Sequence, residues 1–168
     1  MTVERPWFAH YEEGVPPTIE VPELPLHQIM HDSAVKFPNN TAVRMVLKYL
    51  PLGLVIQSKL TYRELDKLSN RFAQALDRLG VKPGDRVAIM LPNLPQTIVA
   101  FFGALKAGAT VVNTNPTYTS RELQHQLADS GAETLVIMSG LYDRYGQIKN
   151  NVNVKNVIVT DVPDSLSW

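Results

Sequence analysis

Cysteine is absent from the chain, which removes disulfide scaffolds, thiolate metal sites and thiol nucleophiles together. An excess of charge is absent as well. Sixteen Lys and Arg balance sixteen Asp and Glu, so no electrostatic grip on nucleic acid or on an anionic lipid surface is expected. No stretch approaches the roughly 18 uninterrupted apolar residues that suggest a membrane span. The opening MTVERPWFAHYEEGVP sets acids, a Trp and a Pro where a signal peptide needs an apolar run, so the expected address is the cytoplasm. What remains is a chain of 168 residues, 45% hydrophobic and 19% charged, of the size and composition of one globular domain with its own core.

Residues 1–25 carry Pro6, Pro16, Pro17, Pro22 and Pro25, with Trp7, Phe8 and Tyr11 among them. Proline removes ladder donors and helix hydrogen bonds, so this segment reads as an extended arm with aromatic anchors. Over residues 25–37 the spacing of Leu26, Ile29, Met30, Ala34 and Phe37 predicts one apolar helical face. Two β-rich runs bracket Pro51-Leu52-Gly53 and predict a hairpin over 41–60. Thr61 and Glu64 then fit a capping box, followed by Leu65, Leu68, Phe72, Ala75, Leu76 and Leu79 at helical spacing, with Gly80 to end the helix. Beyond residue 80, short apolar runs at 85–91, 109–113, 134–138 and 156–160 alternate with helical stretches, the second opened by a capping box at Thr119 and Glu122. An order β-α-β-α-β-α-β with right-handed crossovers predicts an α/β fold, a parallel sheet with flanking helices.

Motifs that carry chemistry fail one by one. Gly103 to Gly108 has the frame of a phosphate loop, but Ala109-Thr110 stand where that loop needs Lys-Ser or Lys-Thr. The pair also falls at the end of a helix, whereas a phosphate cradle precedes one. Gly103 therefore reads as a close helix contact and Gly108 as a helix terminator. No G-x-G-x-x-G is present. His27 and His31 have zinc-ligand spacing, yet Gln28 stands where a zincin carries its general-base Glu. His31, Asp32 and Ser33 are successive residues whose side chains diverge on a helix and cannot form a relay. His125 reads as a surface residue of an amphipathic helix. The residues alone thus point to no catalytic group and no metal site.

Three stretches nevertheless carry a family pattern: RPWFAHYEEGVP at 5–16, LTYRELDKLSNRFAQAL at 60–76, and GVKPGDRVAIMLPNLPQTIVAFFGALKAGATVVNTNPTYTSRELQHQLADSGAETLVI at 80–137. Together they resemble the N-terminal part of a long-chain fatty-acid–CoA ligase, an acyl-CoA synthetase of the adenylate-forming superfamily. LTYREL and LKAGATVV resemble blocks shared across that superfamily. The arm, MLPNLPQ and NTNPTYTSRELQHQLADSGA resemble its fatty-acyl branch. The hairpin around LKYLPLGLVIQ is longer than that branch leads one to expect, so nothing is carried over at residues 46–59.

The resemblance implies that residues 26–168 form an incomplete portion of the large N-terminal domain of the adenylate-forming fold, with 1–25 as an arm. It implies a parent enzyme that uses ATP, Mg2+ and CoA to turn a fatty acid into an acyl-adenylate and then acyl-CoA, releasing pyrophosphate and AMP. That enzyme is expected in the cytoplasm or at the periphery of a membrane. The Ser/Thr/Gly-rich loop with its Lys, the adenine and ribose motifs, the hinge and the small C-terminal domain have no counterpart here. The 168 residues alone are expected to be inactive, to bind none of these cofactors and to contribute scaffold and interfaces. The same resemblance makes Thr117 and Tyr118 candidates to border the CoA channel, with Arg144 as a phosphate partner. A free-standing α/β binding or regulatory module is the alternative. An uncovered sheet edge and an arm of aromatic residues further lead us to expect self-association or a homodimer.

Overall fold

The computed structural model of the chain describes residues 5–165. Helix α1 spans Leu26–Lys36, strands β1 (Thr41–Tyr49) and β2 (Val55–Thr61) follow, and helix α2 runs over Tyr62–Arg78. Then come β3 (Arg86–Met90), α3 (Pro95–Lys106), β4 (Thr110–Asn113), α4 (Ser120–Ser130), β5 (Thr134–Met138), α5 (Tyr142–Gly146) and β6 (Asn156–Thr160). β1 and β2 pair antiparallel as a separate hairpin across Pro51–Gly53. The other four strands form one parallel sheet in the order β4-β3-β5-β6, as the alternation of apolar runs and helical periods predicts.

The strands have two buried faces, and each residue's parity decides which it serves. Val87, Ile89, Leu91 and Val136 point to α2 and α3, where they meet Leu76, Ala100 and Ala104. Ala88, Met90, Leu135 and Ile137 point the other way, to Leu123 and Leu127 of α4 and Tyr145 of α5.

Both capping boxes form. The Thr61 amide donates to Glu64 Oε2 at 2.8 Å and the Glu64 amide to Thr61 Oγ1 at 3.3 Å. At α4 the Thr119 amide reaches Glu122 Oε2 at 2.8 Å, and the Glu122 amide reaches Thr119 Oγ1 at 3.4 Å. Backbone amides, then the threonine hydroxyls, hold both glutamates below their ordinary pKa. The two glycines of the failed phosphate loop have the structural roles read from sequence. A Cβ on Gly103 would sit 2.7 Å from Phe72 Cδ1 and 2.9 Å from the Ser69 carbonyl, so only glycine lets α3 lie this close to α2. Gly108 takes φ 76 just past the end of α3.

Three expectations shift. On α1 only Met30 and Ala34 are buried, while Leu26, Ile29 and Phe37 are exposed, because that helix rests on α2 and α3 along a narrow line. On α2 the buried positions are Leu65, Ser69 and Leu76, with Leu68 and Phe72 half-buried and Ala75 and Leu79 exposed. In the arm, Pro6–His10 wind into a 3₁₀ turn rather than staying extended. Phe8 packs edge-on against Trp7 at 6.2 Å and Tyr11 at 5.5 Å, so these aromatics meet one another. No helix among the described residues is long and apolar enough to cross a membrane.

Candidate functional site

In an open parallel sheet the ligand crevice lies beyond the carboxyl ends of strands whose connections leave to opposite faces. Here β3 leads into α3 on one face and its neighbour β5 leads into α5 on the other, which puts that point between β3 and β5. The rim is made of the segments that follow the four strand ends. After β5, Ser139 Oγ donates to Asp161 Oδ1. After β3, Gln96 Nε2 donates to the Asp161 carbonyl at 2.7 Å, and its Oε1 is buried without a hydrogen-bond donor. After β6, the Asp164 carboxylate accepts from the Asp161 amide at 2.7 Å and the Thr160 hydroxyl at 2.9 Å, in that order the causes that hold its pKa below the ordinary carboxylate value. The hydroxyls on this rim meet carboxylates, Ser139 with Asp161 and Thr160 with Asp164, and no histidine or lysine is hydrogen-bonded to either pair among the described residues. No cluster of three or more His, Asp or Glu able to hold a metal occurs among the described residues.

The turn after β4 carries two of the three residues singled out from sequence. Asn115 Oδ1 accepts from the Thr117 amide and from Thr117 Oγ1, both at 2.9 Å, an Asx turn that aims the chain into the α4 cap. Tyr118 is half-buried against the core formed with α4 and α5, and Thr117 is exposed. Arg144, from α5, reaches the same turn, with Nη1 donating to the Pro116 carbonyl at 2.7 Å and the Tyr118 carbonyl at 2.8 Å. The structure therefore brings Thr117, Tyr118 and Arg144 together. The Arg144 guanidinium fastens the turn through two carbonyls, both bonds from Nη1.

A polar knot escaped the sequence reading. The Lys106 ammonium, 10% exposed, donates to Asp66 Oδ1 at 2.7 Å, Asn70 Oδ1 at 2.7 Å, Ser69 Oγ at 2.9 Å and the Asp66 carbonyl at 3.2 Å. His31 Nδ1 of α1 lies 3.3 Å from the same Asp66 oxygen. Burial pushes the Asp66 carboxyl upward, but hydrogen bonds from Lys106 and His31 and their charges outweigh it and hold the pKa below its ordinary value. The available signal was Asp66, Ser69 and Asn70 at spacings of three and four, a polar break in the apolar stripe of α2. Its partner lies 40 residues away, where periodicity says nothing.

Away from the knot, Leu68 and Phe72 of α2 line an apolar groove of about 440 Å3. Val99 and Ala100 of α3, Val136 of β5 and Ile158 of β6 also line it, together with Gln96 and Asp164.

A family model described as AMP-binding enzyme matches residues 30–167. A long-chain-fatty-acid–CoA ligase of Bacillus subtilis is 35% identical over 168 residues, covering 100% of this chain and 28% of its own length. Another of Haemophilus influenzae is 39% identical, covering 99% and 28% respectively. Among solved structures, a long-chain-fatty-acid–CoA ligase from Archaeoglobus fulgidus superposes with TM-score 0.74 at 25% identity, over 89% of this chain and 31% of that one. The chain thus spans a little over a quarter of the length of the curated relatives it matches.

Proposed function

The chain belongs to the family of AMP-binding enzymes, and from that premise we propose that it serves as the N-terminal part of an ATP-dependent long-chain fatty-acid–CoA ligase. The reaction of the whole enzyme is then attack of a fatty-acid carboxylate on the α-phosphorus of ATP with loss of pyrophosphate, followed by attack of the CoA thiol on the acyl carbon with loss of AMP. The observation that carries this reading is identity of 35% or more maintained along essentially the entire chain with ligases of that name.

What these residues contribute is support. The sheet holds its strand ends in register, and the β4–α4 turn is fixed by Asn115 and Arg144. Thr117 and Tyr118 are proposed to border the path of CoA, with Arg144 both holding their turn and serving as a phosphate partner. No group of three or more His, Asp or Glu able to hold a metal occurs among the described residues, so no step is assigned to Mg2+ through them. A cytoplasmic enzyme is the proposed setting.

The reading is tested by grafting. Replacing the matching segment of the Bacillus subtilis ligase with this chain is expected to give an enzyme that forms acyl-CoA from palmitate, ATP and CoA. A graft that folds but forms no acyl-adenylate contradicts it. Thr117→Ala and Tyr118→Ala in the active graft are expected to raise KM for CoA and leave ATP–pyrophosphate exchange unchanged.

A further inference from the structure

The balance of charge over the whole chain is not kept in the β1–β2 hairpin. Residues 41–61 carry Arg44, Lys48 and Lys59 and no acid. All three are exposed, neither lysine is in an ion pair among the described residues, and Arg44 donates to a neutral partner, Gln57 Oε1, at 2.7 Å. Beyond these cations the hairpin ends in Tyr49-Leu50-Pro51-Leu52-Gly53-Leu54, closed by the Leu50 amide donating to the Leu54 carbonyl at 2.8 Å. Leu52 is 99% exposed, Tyr49 77% and Leu54 61%. Leu52 also holds φ 63, the left-handed backbone that favours glycine, and a side chain so exposed gains no packing to offset that strain. The tip lies within residues 46–59, where the family pattern is not followed, so the feature belongs to this chain. We propose that the hairpin is a prong that docks the protein on a lipid bilayer bearing anionic headgroups, with Leu52 and Leu54 immersed and Lys48 at the phosphates.

The dimensions agree with that occupant. Lys48 pairs with Ile56, four residues back from Leu52, which at about 3.3 Å per residue is no more than about 13 Å from the apex. An apolar tip immersed by about 5–10 Å therefore leaves the Lys48 ammonium, on its flexible stem, level with the headgroup phosphates. Tyr49 falls between the two, at the depth where a ring with a polar end is favoured. Arg44 and Lys59, paired with each other further back, keep the same sign of charge on the approach. Pro51 has no amide to desolvate, and that of Leu50 is already bonded. At its base the hairpin is fixed to the body, with the Tyr62 amide on the Asn40 carbonyl at 3.1 Å and both strands resting on α2. A stable protein interface covers about 800 Å2 on each partner, more than a six-residue turn presents, whereas a bilayer accepts a narrow apolar tip with cations set behind it.

The proposal stands apart from the ligase reading, because vesicle binding is read without ATP, CoA or turnover. The 168-residue chain is expected to sediment with vesicles of phosphatidylcholine containing about 30% phosphatidylglycerol, more weakly with phosphatidylcholine alone, and less as salt rises. Leu52→Glu is expected to weaken binding about ten-fold with an unchanged far-UV spectrum. Leu52→Gly separates docking from folding: glycine suits φ 63, so Tm is expected to hold or rise while binding falls by a similar factor. The chain has no cysteine, so a polarity-sensitive dye on Leu52→Cys reports immersion directly. Its emission is expected to shift to the blue on the mixed vesicles, and that of the same dye on Asp129→Cys of α4, packed on the opposite face of the sheet from α2, to stay unchanged. The same two labels in the folded Bacillus subtilis graft are expected to show the same contrast; if the graft does not fold, the chain alone decides. No binding to the mixed vesicles overturns the proposal. So does binding that survives Leu52→Glu and is lost on removal of residues 1–25, a blue shift that disappears in the folded graft, or a chain that ignores vesicles and self-associates through Leu52.

Discussion

On one side of α2, Asp66, Ser69 and Asn70 close around the Lys106 ammonium and every donor finds an oxygen. On the other side of the same helix, Leu68 and Phe72 face a groove open to solvent. One amphipathic pattern thus gives two kinds of packing. A buried cation fixes the angle at which α3 lies on α2 through directional bonds, and Gly103 lets the helices close to that distance. The apolar side imposes no such geometry. The clamped side is therefore intolerant of substitution, and the groove side yields.

The largest expected effect is at the helix contact. Gly103→Val places its Cβ 2.7 Å from Phe72 Cδ1 and 2.9 Å from the Ser69 carbonyl, and a loss of about 3 kcal/mol is expected. Urea denaturation measures it. Next is Asp66→Ala, which leaves a mostly buried ammonium with neutral partners only and is expected to cost about 2 kcal/mol. The opposite side of the helix gives the contrast. Leu68→Asp puts a carboxylate where water reaches it through the groove, so a loss of about 1 kcal/mol with the fold retained is expected. Sequence periodicity alone places Leu68 in the core, where the same change would unfold the chain. A cooperative melt for Leu68→Asp weaker than that of Asp66→Ala would invert the comparison.

Much of the fold was legible because its signals are local. Thr61 with Glu64, Thr119 with Glu122, the four apolar runs and Gly108 each lie within a few residues of what they determine. The departures are all non-local. Lys106 finds Asp66 across 40 residues, and Arg144 finds the Tyr118 carbonyl across 26, at distances where no spacing rule applies. The α1 stripe misled for a related reason. Helical periodicity shows which residues share a face and says nothing of how wide a neighbour covers it, and here only Met30 and Ala34 are covered. The β4–α4 turn divides in the same way: the bonds of Asn115 with Thr117 and of Thr119 with Glu122 are local, whereas those of Arg144 span 26 and 28 residues and leave no local signal.

The smallest effects concern the carboxylates. Glu64 and Asp66 titrate below their ordinary values in the folded chain. Their contribution to stability is complete above the unfolded pKa and is lost as pH falls through the lowered folded pKa. Unfolding free energy is thus expected to decline from about pH 5 downward, and less steeply in Asp66→Asn than in the native chain. Glu64→Gln, which keeps both bonds of the capping box and loses only the charge, is expected to cost about 0.5 kcal/mol at neutral pH. Equal slopes for the native chain and Asp66→Asn would mean that the knot is not formed in solution.

As proposed, these residues supply structure to an acyl-CoA ligase and no chemistry of their own. ATP–pyrophosphate exchange with palmitate and Mg2+, measured on the 168-residue chain purified free of host ligase, tests it most directly. The account gives exchange no higher than that of a heat-killed control. Exchange above that control, abolished by a substitution in this chain, would contradict it.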